Sequence, residues 1–198
     1  MCLTMIISQN GTAYLLTDNS ATSFNHDPNT CNTAEELLEA VNTVMDYGSK
    51  LIPLKDGAIL AWTSNKPHAI GYIEACVDKR GHVANPEAYT DIPELSGYLL
   101  KSNPLEIYGF NDGVLTRTPT PTDSKLVKFQ YHTVPYFDDV VLGEFAKHLR
   151  GIPPIDVISP RDLRALLEQT LIAIHQRCPL IGQTLWLSRI DDDGVTLL

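Results

Sequence analysis

The first thing this sequence lacks is a long apolar segment. No run of about 18 apolar residues occurs, which is the length that a membrane-spanning helix requires. The N-terminus also lacks a basic stretch followed by an apolar one, so we expect no secretory signal and a cytoplasmic protein. The 4 cysteines form no CxxC pair, and free thiols are the expectation in that reducing compartment.

The fingerprints of several enzyme classes are absent as well. The sequence has no Gly-x-Ser-x-Gly turn, no phosphate-binding loop and no dinucleotide-binding glycine pattern. Its 6 histidines form no HxH or HxxxH pair, which argues against a metal site. The acidic run at 191–193 is better explained as a hairpin turn than as a calcium loop. We therefore expect neither a metal nor a cofactor.

The composition is that of a folded, acidic protein. Of the 198 residues, 43% are hydrophobic and 20% are charged, which predicts a single domain over 1–198 with a sizeable core. The formal net charge of −9 argues against nucleic acid and anionic membranes as partners, because both attract basic surfaces.

The opening segment predicts a β-hairpin. Residues 3–8 and 13–17 are β-prone runs that flank Asn10-Gly11, a dipeptide suited to a two-residue type I′ turn. A hairpin over residues 2–18 with this turn pairs position 18 near position 3. Asp18 is therefore expected beside Cys2 in space.

A helix-forming pattern begins at Thr33, which is a candidate N-cap followed by acidic residues. Apolar side chains then recur at helical spacing, at Leu37, Leu38, Val41, Val44 and Met45. Gly48 is suited to end such a helix. We predict a helix over residues 33–47.

The rest of the chain alternates hairpins with helices. We predict a hairpin over 50–63, a helix over 67–79 and a weaker helix over 86–101; strands over 105–110, 114–117 and 125–133; helices near 135–150 and over 160–177; and strands over 184–190 and 195–198. Grouped hairpins separated by helices favour an α+β fold with antiparallel sheets and helices outside. Two sheets between two helical layers would bury every apolar face.

Met1-Cys2 is the first candidate for chemistry. An initiator methionine before a small residue is usually removed, which would leave Cys2 with both a thiol and a free amine. The amine has a pKa of about 8 and the thiol one of about 8.5, so the amine can act as the base for its own side chain. The alternative to a catalytic Cys2 is a cysteine that stands at the second position without a functional role.

Asp18 and Lys50 are the second candidates. A strand-end aspartate often caps a turn, and a lysine at the start of a strand is usually solvated. If the ammonium group of Lys50 points inward beside Asp18, its charge would favour the thiolate of Cys2.

Three segments carry a resemblance to a known family. Residues 10–22 read Asn-Gly, an apolar run and then Asp-x-x-Ala-Thr. Residues 50–62 contain a lysine strand followed by a hairpin, and residues 181–191 run from Ile-Gly-Gln-Thr into a strand near the C-terminus. Together they resemble the proteasome β-type subunits, which are N-terminal-nucleophile hydrolases. The order of predicted elements matches that family over nearly the whole chain.

The resemblance implies a four-layer αββα sandwich, with two antiparallel sheets between helical layers. By position, it implies that Cys2 is the nucleophile, Asp18 the buried aspartate and Lys50 the lysine of the family. The backbone N–H groups near Thr63 or Ser64 correspond to the oxyanion donors. The predicted helix at 33–47 separates two motifs that are closer in the family, so we interpret the region near 24–48 as a helical insertion.

The sequence also departs from the family. The nucleophile would be cysteine rather than threonine, and the oxyanion turn lacks its glycine. The family's Gly-Ser-Gly is replaced by residues 130–133, and its Asp-x-x-Ser is missing near 177–180. These losses bear on activity more than on the fold.

The sequence therefore leaves several functions open. The first is hydrolysis of a peptide or small amide by Cys2 after Met1 is removed. The second is a non-catalytic proteasome-like subunit with a structural or binding role, and the third is a small-molecule amidase with an N-terminal cysteine. In each case the resemblance implies self-association into a ring or stacked homo-oligomer, through the predicted helices at 67–79 and 86–101.

Overall fold

The computed structural model describes residues 3–63, 69–93, 95–118 and 128–198. Over these ranges the chain is an α+β fold with three antiparallel sheets. The strands are β1 (Thr4–Gln9), β2 (Thr12–Asp18), β3 (Ser20–Phe24), β4 (Val41–Asp46), β5 (Leu51–Leu54), β6 (Ala58–Thr63), β7 (Ser96–Lys101), β8 (Glu106–Asn111), β9 (Val114–Thr118), β10 (Lys128–His132), β11 (Leu185–Asp191) and β12 (Gly194–Leu197). The α-helices are α1 (Ala34–Glu39), α2 (Ala69–Lys79), α3 (Asp138–His148) and α4 (Pro160–Arg177). None of these described helices is long and apolar enough to cross a membrane.

Two five-stranded sheets form the body of the protein. The first has the strand order β10-β1-β2-β11-β12, and the second has the order β5-β6-β7-β8-β9. The third sheet is small and pairs β3 with β4. The antiparallel, hairpin-rich topology confirms the α+β class that the alternation of strands and helices predicts.

Three apolar clusters show how these elements pack. One joins a face of the first sheet to α3 and α4, and another joins a face of the second sheet to α2. The third lies between the two sheets and contains Ile6 and Leu15 from the first with Ile59 and Leu100 from the second. Because both faces of each sheet are covered, β1, β2 and β6 are buried along their whole length.

The opening hairpin forms as predicted. Asn10 and Gly11 both have positive φ, at 50° and 74°, which a type I′ turn requires at its two central positions. The turn sets a register in which Thr4 lies opposite Thr17. Asp18 consequently lies opposite Leu3, and its N–H donates to the Leu3 carbonyl over 3.2 Å.

Most other predicted elements are present near their predicted limits. Helix α4 begins where its signals place it, because the hydroxyl of Ser159 accepts from the N–H of Asp162 and Pro160 occupies the first turn. The hairpin over 50–63 corresponds to β5 and β6, and α2 to the helix predicted over 67–79. Residues 67–68, at the start of that predicted helix, lie outside the described residues. So do residues 125–127 of the strand predicted over 125–133, and its described part contains β10.

The prediction of a helix over residues 33–47 is wrong beyond its first turns. Thr33 caps α1 by accepting from the N–H of Glu36 over 3.1 Å, but this helix ends at Glu39. Residues Val41–Asp46 instead form β4, which pairs antiparallel with β3. Val44 and Met45, two members of the predicted helical stripe, are 41% and 50% exposed. The predicted single helix in the region near 24–48 is therefore replaced by a 3-10 turn at Pro28–Thr30, the short helix α1 and the strand β4.

The weaker helix predicted over 86–101 is also wrong. Pro86–Tyr89 forms a single 3-10 turn, and Ser96–Lys101 is the central strand of the second sheet. Gly97 has a φ of 138°, and a Cβ there would overlap the carbonyl oxygen of Ala61 on β6. The apolar run of this strand is buried on both faces, so it lacks the alternation that would have distinguished it from a helix.

Candidate active site

Asp18 lies at the end of β2 with none of its side chain exposed, and its carboxylate gathers donors from four parts of the chain. Oδ1 accepts from the N–H of Leu3 over 3.0 Å and from Lys50 Nζ over 3.2 Å. Oδ2 accepts from the N–H of Gly182 over 2.6 Å and from that of Ser20 over 3.3 Å. A carboxylate is an acceptor with two oxygens, so it can satisfy all four donors at once.

Lys50 directly precedes β5, and its side chain is only 2% exposed. Besides Asp18 Oδ1, its ammonium group donates to the carbonyl oxygen of Asp18 over 3.3 Å and to that of Ser20. The sequence allowed the Lys50 side chain to point either into solvent or inward beside Asp18, and the structure shows the inward orientation. We refer to the ion pair of Asp18 and Lys50 as the buried pair.

The buried pair ties the two large sheets together near the start of the chain. Asp18 belongs to the first sheet, and Lys50 leads into an edge strand of the second. Leu3, which donates to Asp18, is fully buried. Cys2 lies outside the described residues, so the described site ends at its covalent neighbour.

Thr63 is the last residue of β6 and is 6% exposed. Trp62 donates its N–H to the carbonyl of Lys50 over 3.4 Å, so Thr63 directly follows the residue that pairs with Lys50. This places the predicted oxyanion segment next to the lysine. Ser64, the other predicted oxyanion residue, lies outside the described residues.

Gly182 is a site residue that the sequence did not single out. It is 164 positions from Asp18, yet its N–H makes the shortest hydrogen bond to that carboxylate. A Cβ at this position would overlap Asn19 Oδ1 and lie 2.7 Å from Ser20 Oγ. Only glycine allows this close approach of the two backbones. The glycine just before the predicted strand over 184–190 was the available signal.

Asn19 is a second residue that sequence reasoning missed. Its Oδ1 accepts from the N–H of Thr184 over 3.2 Å, and its Nδ2 donates to Asp46 Oδ1 over 2.8 Å. Its carbonyl accepts from the N–H of Tyr47 over 2.7 Å. Asn19 therefore holds the chain around β4 and the segment before β11 against the end of β2.

His132 lies at the end of β10, directly opposite Thr4 of β1. Its ring centroid is 5.0 Å from that of Tyr98 on β7, so the imidazole bridges the two large sheets. Burial lowers the pKa of His132 below its usual value, which favours the neutral imidazole.

The described cysteines are Cys31, Cys76 and Cys178, and their surroundings differ from those of the buried pair. Cys178 is fully buried at the end of α4, and burial raises its pKa to about 11, with the charge of Asp18 acting in the same direction. A neutral thiol is a poor nucleophile. Cys31 is also buried, whereas Cys76 is half-buried. In the described ranges, no group of three or more His, Cys, Asp or Glu side chains could hold a metal ion.

A comparison with models of known protein families, and one with curated proteins, finds no match for this chain.

Proposed function

We propose that this protein hydrolyses amide bonds with Cys2 as its nucleophile, once removal of Met1 has made Cys2 the N-terminal residue. The observation that carries the proposal is the buried pair together with its bond to Leu3. The same carboxylate oxygen accepts from the Leu3 N–H and from the Lys50 ammonium group. Leu3 directly follows Cys2 in the chain, so the buried pair is hydrogen-bonded to the sequence neighbour of the proposed nucleophile.

The packing of the sheets supports the finer fold that the family resemblance implies. One apolar cluster joins the first sheet to α3 and α4, one lies between the two sheets, and one joins the second sheet to α2, which supports an order of helices, sheet, sheet and helix. This order is the one expected of a four-layer αββα sandwich of the N-terminal-nucleophile type. The proposed site then lies where the first and second sheets meet at the start of β1.

The proposed reaction uses three features of this site. The positive charge of Lys50 favours the thiolate of Cys2, and the free α-amine takes the thiol proton and passes it to the leaving amine. Sγ attacks the amide carbonyl, and backbone N–H groups near Thr63 and Ser64 stabilise the resulting oxyanion. Loss of the amine leaves a thioester, which water hydrolyses to the carboxylic acid and the free thiol.

One observation favours the alternative of a non-catalytic subunit with the same fold. The Lys50 ammonium group has three N–H bonds, and three oxygens of Asp18 and Ser20 lie around it. Such a lysine can serve as a structural tie between the sheets without taking part in chemistry. The two functions differ in whether Cys2 reacts.

The test is alkylation of the Met1-processed protein by a mild electrophile, read by peptide mass spectrometry. We expect Cys2 to label fastest, and Cys2→Ala to abolish both this labelling and the hydrolysis of fluorogenic peptide amides. Cys76→Ala is the matched control and should leave both unchanged, because Cys76 is far in the chain from the buried pair and packs with the α2 cluster. Faster labelling of Cys31, Cys76 or Cys178 than of Cys2 would refute the proposal and favour the non-catalytic subunit. Retention of Met1, seen by intact mass, would refute it for that form of the protein.

A further inference from the structure

An open cavity of about 380 Å³ adjoins the buried pair. Ser20 and Gly182 line it, and both donate their N–H groups to Asp18 Oδ2. The Ser20 carbonyl also accepts from Lys50. The cavity and the proposed reaction centre therefore share a wall of backbone, and its volume falls in the range that binds small organic ligands.

Among the described residues that line the cavity, Asp46 at the end of β4 is the one with a carboxylate. Asn19 holds this side chain by donating Nδ2 to Oδ1, and Asn19 is itself fixed by the N–H of Thr184. Within the described part of the chain, no donor reaches Asp46 Oδ2. No lysine or arginine is among the described residues that line the cavity. The cavity therefore presents an exposed carboxylate that Asn19 holds in place, and among the described lining residues His175 is the other titratable side chain.

Two apolar side chains precede Asp46 in the cavity wall, whereas other described lining residues, among them His175 and Gln183, are polar. Val44 and Met45 line the cavity and leave 41% and 50% of their surface exposed. A carboxylate next to two apolar side chains suits a ligand with an aliphatic stem and a cationic head, because the stem contacts the apolar side chains while the head meets the charge. Lysine and arginine side chains have this form, and so do small alkylammonium amides.

We propose that this cavity selects substrates that carry a positively charged alkylammonium or guanidinium group near the amide that is cleaved. This inference rests on the proposed hydrolase function, since it assigns the substrate class of that site. Asp46 is a specificity-determining residue in this scheme and takes no part in bond cleavage.

The test compares fluorogenic amides that differ in one side chain: lysine, arginine, norleucine and glutamate. Norleucine removes the charge of lysine and keeps its aliphatic stem. We expect kcat/KM for the lysine amide to exceed that for norleucine by about tenfold or more, which corresponds to about 1.4 kcal/mol. Asp46→Asn should remove this preference, mainly through KM, while retaining an oxygen that can accept from Asn19. Asp193→Asn, in the exposed turn between β11 and β12, is the matched control and should keep the preference.

Binding separates this inference from the proposed function. Calorimetric titration of the Cys2→Ala protein with Nα-acetyl-lysinamide and Nα-acetyl-norleucinamide should show Asp46-dependent binding of the lysine compound alone. Hydrolysis that requires Cys2 but shows no charge preference would overturn the cationic site and leave the hydrolase proposal standing. Asp46-dependent binding by a protein that hydrolyses no amide would support the site as a cation-binding one and overturn the hydrolase proposal. Equal binding of both amides, or none of either, would refute the site.

Discussion

Replacing Lys50 with methionine tests the buried pair most directly. Methionine keeps most of the aliphatic length of lysine and removes the ammonium group. Asp18 then remains as a carboxylate with no exposed surface and no counter-charge. The carbonyl oxygens of Asp18 and Ser20 also lose their shared donor.

The expected loss of stability is large. Removing one partner of a buried ion pair costs about 3–5 kcal/mol, because the other charge stays buried and unpaired. The N–H groups of Leu3, Ser20 and Gly182 still donate to the carboxylate, which places the expected cost near the lower end, at about 3 kcal/mol. For a chain of this length, that corresponds to a fall in Tm of about 6–12 °C.

Urea unfolding followed by circular dichroism measures the change, with Lys147→Met as the matched control. Lys147 is 70% exposed and lies 3.4 Å from Glu144, so its loss should cost at most about 1 kcal/mol. The double variant Asp18→Asn with Lys50→Met should be more stable than the sum of the single effects predicts, because no unpaired charge remains. Equal costs for Lys50→Met and Lys147→Met would refute the reasoning.

Three further predictions concern other parts of the molecule. Gly182→Ala should destabilise the protein by about 1–3 kcal/mol and slow hydrolysis, because the added methyl group meets Asn19. Gly143→Ala, within α3, is the control: its added methyl group has no other atom within 4 Å, so it should stabilise the protein by up to about 1 kcal/mol in the same unfolding assay. Burial lowers the pKa of His132, so its contribution to stability is complete above about pH 6.5 and is lost as the pH falls towards the folded-state pKa. His132→Phe should therefore flatten the fall in unfolding free energy below pH 6.5, and an unchanged slope would contradict this. If the protein self-associates, light scattering should give a mass above the 21.9 kDa of one chain. Tyr72→Glu, on the exposed side of α2, should lower this mass. A mass of 21.9 kDa at all concentrations would exclude association.

The structure changes which residues could form the predicted self-association surface. The sequence assigned it to helices at 67–79 and 86–101, but the second of these is largely β7, whose inner residues are buried in the sheet. Of the two predicted elements, only α2 presents a helical surface.

Local chemistry in the sequence determined the elements whose signals are short-range. The Asn10-Gly11 turn fixed the register of the first hairpin, and that register alone placed Asp18 opposite Leu3. Ser159 and Pro160 likewise fixed the start of α4, because a cap acts within one turn of the helix. The family resemblance singled out Lys50 as the partner of Asp18.

Only the tertiary structure decided the state of residues 41–46 and 96–101. The apolar residues at 41, 44 and 45 fit a helical spacing, but intrinsic helix propensity is a weak preference that a neighbouring strand can override. β3 supplies that strand for β4, as β6 and β8 do for β7. Pairing of this kind depends on segments many residues away, which a local pattern does not contain.

The same reason accounts for the parts of the site that the sequence did not show. Gly182 meets Asp18 across 164 positions, and Asn19 connects residues from the ends of β2 and β4 to the segment before β11. Spacing along the chain carries no signal for contacts of this range. The sequence determined the hairpin that carries Asp18, whereas only the tertiary structure brought Lys50 and Gly182 to Asp18 and Asp46 to the neighbouring Asn19.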